Sequence, residues 1–101
     1  MIARVFRCNA VPENAPLYVE HLEQNIFPEL GQIKGFQGAN VLQREQDGDV
    51  EFIVMTYWDS MDAIHQFAGA DADIAVVAPN AEALLRAYDT TVTHYDIALK
   101  K

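Results

Sequence analysis

A single cysteine, Cys8, stands in the 101 residues, leaving no partner for an internal disulfide and no thiolate cluster for a metal. Its strand-like, alternating setting makes it a buried structural thiol rather than a nucleophile. Basic residues are scarce as well. Seven Lys and Arg face 15 Asp and Glu, a net charge of −8, the wrong sign for neutralising nucleic-acid phosphates or docking on anionic lipid. Nucleic acid and membrane are therefore not expected partners. No run reaches the about 18 consecutive apolar residues of a membrane span, and the N-terminus has no apolar stretch of signal-peptide length, so a cytoplasmic protein is expected. Phosphate-cradling glycine loops, nucleophile elbows and dinucleotide fingerprints are missing. The histidines, His21, His65 and His94, fall on separate elements without ligand spacing, so no metal is expected.

What is present is a chain with 50% hydrophobic side chains, enough for the core of one domain spanning residues 1–101. "IARVFRCN" at 2–9 reads as a strand. Leu17, Val19, Leu22, Ile26 and Leu30 then recur near helical spacing, with Pro12 and Pro16 at the leading edge and Pro28 expected to kink or divide the tail. A second strand runs from about 36 to 46. "DGD" at 47–49 marks a tight turn into a third strand, "VEFIVMTYW". Ser60 is placed to cap the next helix, with Asp62 in its first turn and Gly69 at its end. Residues 71–88 suggest two short helical segments broken near Pro79, and "TTVTHYDIAL" reads as the last strand. The order β-α-β-β-α-β predicts an α+β, ferredoxin-like split arrangement, a four-stranded antiparallel sheet with helices on one face.

The third strand is apolar on both sides: Phe52, Val54, Thr56 and Trp58 alternate with Ile53, Met55 and Tyr57. The first strand behaves alike, with Ile2, Phe6 and Cys8 opposing Ala3 and Val5. Helices cover only one face of such a sheet. Each large apolar side chain left in water forgoes roughly 1.5–3 kcal/mol of burial, so a homodimer packed sheet against sheet is expected.

The segment "GFQGANVLQREQDGDVEFIVMTYWDSMDAIHQF" resembles the antibiotic biosynthesis monooxygenase family of dimeric α/β-barrel proteins, through Gly35, Phe36, Trp58, Ser60, Ala63 and Phe67. The end of the chain is similar to a tail of uncharacterised members, which makes Pro79, Asp89, His94 and Tyr95 a subgroup pattern. The resemblance implies a ligand pocket between sheet and helices. Members that oxidise phenols to quinones with oxygen and no bound cofactor carry polar residues where this chain has Leu42, Val54 and Ile64; of their set only Trp58 is kept. Members that degrade haem place an Asn, a Trp and an axial His where this chain has Arg7, Phe67 and Val77, so haem chemistry is the least favoured reading.

The expectation that follows is a cofactor-independent, monooxygenase-like protein acting on a small aromatic phenol or hydroquinone; the alternative is a non-catalytic dimer that binds a small ligand or serves as an accessory protein. In the catalytic reading Trp58 and Phe67 wall the pocket, His94 or His65 is the base and Arg7 holds the anion. Competing structural readings make Trp58 a core residue, His65 a solvent-facing or helix-capping group, Arg7 a salt-bridge partner and His94 a hydrogen bonder at the dimer seam. Arg86 and Tyr88 are expected on a short third helix at the pocket rim, and His21 is expected to be exposed.

Overall fold

The computed structural model describes all residues from Met1 to Lys101. Strand β1 (Ile2–Ala10) lies inside the sheet, antiparallel to β3 (Asp49–Trp58) along its whole length. On the other side of β3 runs β2 (Phe36–Gln46). The β2–β3 connection is Asp47-Gly48, both at positive φ (54° and 84°) between the paired Gln46 and Asp49. This is the two-residue hairpin turn whose twist matches the strands.

The outer edge of β1 carries two short strands instead of the single last strand the sequence suggests. β4 (Ala87–Tyr88) pairs with Cys8 and Asn9, and β5 (Thr93–Asp96) pairs with Ile2 through Val5. The sheet is five-stranded and antiparallel. Between β4 and β5 the backbone turns to another partner: Val92 N–H donates to Asp73, Ala75 N–H to Thr90, and Ile74 bridges Thr91. The same bonds explain why residues 71–77 are not helical. Their β-branched side chains and the approaching Pro79 disfavour a helix, and their backbone groups are satisfied across the chain. Only α4 (Pro79–Glu82) is helical there.

The first helical stretch is divided. α1 (Ala15–His21) widens into a π turn (Leu22–Ile26) before α2 (Phe27–Leu30). Pro28 supplies the cause, because it has no N–H to donate backwards and its ring collides with the preceding turn's carbonyl. The wider turn, in which Phe27 N–H reaches Leu22 O, accommodates both. α3 (Met61–Ala68) is capped by Ser60, whose Oγ accepts from Ala63 N–H at 3.2 Å, and ends at Gly69. Gly35 has φ +102°, and a Cβ there would lie 2.5 Å from Asp59 Oδ1 and 2.7 Å from the Ala63 Cβ. This close approach seats β2 against the start of α3.

All helices lie on the face bearing Ile2, Arg4, Phe6 and Cys8. Two apolar clusters fill that side, one around Phe52, Tyr18, Leu22 and Cys8, the other around Trp58, Ile64 and Leu30. Burial pushes the Cys8 thiol up to about 11, which makes it an inert packing group. The opposite face is uncovered: Leu42 is 49% and Tyr95 55% exposed, with Ile53, Met55 and Tyr57 half-buried between them. No helix is long and apolar enough to cross a membrane.

Candidate functional site

Between the sheet and the helices lies a cavity of about 330 Å³, at the lower end of the ligand-pocket range. Its floor is Phe6, Val54 and Thr56; its walls are Tyr18, Leu22 and Phe27 on the divided helix, Phe67 on α3, and Val76–Ala78. The lining is apolar except for Arg4, Thr56, the Tyr18 hydroxyl and Glu29, an exposed carboxylate at the rim. The Tyr18 phenol is raised well above its ordinary range by burial and by Cys8 beside it.

Arg4 dominates the electrostatics. It is 4% exposed, and its guanidinium lies 5.6 Å from the Phe67 ring centroid, a cation–π contact. Nη1 donates to Ala72 O and to His94 Nε2 (3.0 Å), and Nη2 to Ile74 O (3.1 Å). Because a guanidinium only donates, His94 Nε2 accepts and the proton of the neutral ring sits on Nδ1, 3.4 Å from Asp73 Oδ1. Burial lowers the Arg4 pKa and the Asp73 field raises it in part. His94 is lowered below its ordinary 6.5, first by burial, then by the adjacent Arg4 charge, against the pull of Asp73.

That shift has a sign in stability. Above pH 6.5 the ring is neutral folded and unfolded alike; as pH falls below 6.5 the unfolded chain takes up the proton first, so native stability declines until the lowered folded pKa is passed. Urea midpoints measured across this acidic window are expected to fall more steeply for the native chain than for His94→Gln. Equal slopes would disprove the linkage.

The expected site residues are scattered. Trp58 is fully buried; its indole N–H donates to Thr56 Oγ1 at 2.9 Å, and its ring stacks on Phe67 (centroids 6.0 Å apart), so it stands behind the cavity wall. Phe67 is wall itself. His65 is exposed on α3, its Nδ1 2.8 Å from Gly69 O at the helix end. Arg7 projects from the opposite sheet face and is exposed, bordering a separate polar groove with Asp47, Asp49 and Asp89. Arg86 lies in a bend before β4, not on a helix, and binds Asp49 at 2.7 Å; Tyr88 lies in β4 and borders that polar groove, because this segment pairs with β1 instead of coiling. His94 lies on the helix-covered side, held by Asp73, and reaches the cavity only through Arg4. His21 is buried, not exposed: it closes α1, and its Nδ1 is met by Asn25 Nδ2 at 3.0 Å.

Arg4 is the residue sequence reasoning passes over. Its charge reads as surface, yet it shares the parity of Ile2, Phe6 and Cys8, which places it beneath the helices. Arg7 has the other parity.

Sheet order, helical layer and the cavity between them define a ferredoxin-like α+β domain. The sequence profile of the family described as antibiotic biosynthesis monooxygenase matches residues 1–79, and the chain belongs to that family. Solved structures of similar shape include a protein from Bacillus cereus assigned to the same family (TM-score 0.70, 18% identity, covering 100% of this chain and 94% of that one) and one from Deinococcus radiodurans (0.65, 18%, 100% and 96%). The haem degrader MhuD of Mycobacterium tuberculosis, solved with two haems in its active site, is also similar (0.63, 18%, 100% and 99%). At such identities the likeness is one of fold. No curated protein matches the chain.

Proposed function

We propose that the chain works as one domain, residues 1–101, in a homodimer joined through the open sheet face, and that its cavity admits a small flat phenol or hydroquinone for cofactor-independent oxidation. The observation that carries this reading is the apolar cavity with one buried cation, Arg4, in its wall. The guanidinium favours the phenolate, which donates electrons to oxygen far more readily than the phenol. For a phenol with a free ring position the balance closes without a reductant: one oxygen atom enters the ring, and the displaced ring hydrogen and the phenolic hydrogen leave with the other as water, giving a quinone. In this reading Phe67 is the aromatic wall, Arg4 takes the role expected of Arg7, and Trp58 and His94 position Phe67 and Arg4.

Haem does not fit the residues present. No His, Cys or Met lines the cavity, and the one phenol there, Tyr18, is driven away from ionisation. A second reading, binding without turnover, is favoured by the lack of a free base: His94 Nε2 is occupied by Arg4. Oxygen uptake with a panel of polycyclic phenols separates the two. Protein-dependent uptake is expected, reduced roughly 100-fold in Arg4→Met, the scale of losing one preorganised donor to a developing oxyanion, and unchanged in Arg7→Met and His65→Ala. Tight binding with no uptake across the panel would overturn the catalytic reading.

A further inference from the structure

Arg4 is a buried cation without a counter-ion. No carboxylate lies within salt-bridge distance of it; Asp73, whose field reaches it, is bonded to His94. Its protein partners are two carbonyl oxygens and a neutral imidazole. A guanidinium has more N–H donors than these bonds use, and the Arg4 Nε–H has no partner in the protein. Buried charges are ordinarily paired, because an unpaired one in apolar surroundings is costly. The carbonyls and the Phe67 face hold the cation in place and do not cancel its charge.

No group that could remove a ligand's proton stands free beside it. His94 has its lone pair turned to Arg4, burial drives the Tyr18 phenol away from ionisation, and the Thr56 hydroxyl accepts from Trp58. The one carboxylate on the cavity lining, Glu29, is at its exposed rim.

We infer that the cavity captures its ligand as a preformed monoanion: an aromatic oxyanion acidic enough to be ionised at neutral pH, whose oxygen completes the coordination of Arg4 and whose ring lies among Phe6, Leu22, Val54 and Phe67. The ligand is selected by its own acidity and not by a base in the protein. A second negative charge toward the rim would be repelled by Glu29, which disfavours dianions. This inference rests on the cavity being the ligand site of the proposed function, and it holds whether or not turnover follows.

The test is calorimetric titration with 4-nitrophenol, which ionises near neutral pH, and with its methyl ether 4-nitroanisole, which cannot, on either side of the phenol's ionisation. The phenolate is expected to bind about tenfold or more tighter than the ether, the order of one charge-assisted hydrogen bond, with the gain following the phenol's own ionisation. The ether's affinity over the same range reports any titration of the groups around Arg4, namely His94, Asp73 and Glu29. Arg4→Gln should erase the difference between phenolate and ether; Arg4→Lys should keep part of it. The pH series needs no variant, so a misfolded Arg4→Gln would not blunt the test. Equal affinity for phenolate and ether, or binding that weakens as the phenol ionises, would overturn the inference and leave the aromatic pocket standing. Failure of both compounds to bind would overturn the pocket as well.

Discussion

Replacing Trp58 with alanine is expected to lower the unfolding free energy by about 3–5 kcal/mol, the cost of emptying a buried aromatic site. Few positions in the chain are so committed. Trp58 is completely enclosed, meets the edge of Phe36 at 5.2 Å, stacks on Phe67 and donates its N–H to Thr56. Truncation removes ring contacts on three elements and strips the Thr56 hydroxyl of its donor. A domain of this size has about 5–15 kcal/mol in total, so the variant should retain about four fifths of it at most and, at the lower end, almost none. Urea unfolding followed by far-ultraviolet circular dichroism at fixed protomer concentration measures the change; a loss under about 1 kcal/mol would contradict the packing described.

Met55→Asp is expected to separate the proposed dimer into folded monomers. Met55 lies on the sheet face away from the helices, opposite Val5 on β1 and Asn40 on β2. In a monomer its side chain is half-buried at a solvated surface, and the change is mild. In a sheet-to-sheet dimer the new carboxylate would be sealed in an apolar seam without a partner, at a cost of about 3 kcal/mol or more. That is roughly a hundredfold in dissociation constant. Sedimentation of native and variant chains at micromolar concentration decides the matter. A native chain that sediments as a monomer would refute the dimer outright, and a variant that still sediments as a dimer would show that this face is not the seam.

How far the residues themselves disclose this molecule differs along the chain. Where one physical constraint acts alone, the prediction holds. Period-two alternation separates the faces of β1 and β3, Asp47-Gly48 closes the β2–β3 hairpin, and Ser60 and Gly69 delimit α3. Residues 70–92 are different. Their backbone groups find partners far along the chain, as in the bond from Val92 to Asp73, and local propensity carries no record of that choice. The site suffers from the same non-locality. His94, Asp73 and Arg4 meet because β5 pairs with β1 and the 72–74 backbone lies across both; nothing in the spacing of 4, 73 and 94 announces it. Charge also misleads at close range, since Arg7 and Arg4 differ only in which side of the pleat they occupy.

The π turn at Leu22–Ile26 sets the phase of everything after it. One additional residue in that turn offsets the helix that follows by about 100° from where an unbroken α-helix would carry it. With that offset, Ile26 and Phe27 touch both apolar clusters, the one around Phe52 and the one around Trp58, and also line the cavity between them. A proline that could have been a mere defect thus acts as an angular key: it locks the two halves of the core together beside the cavity that lies between them.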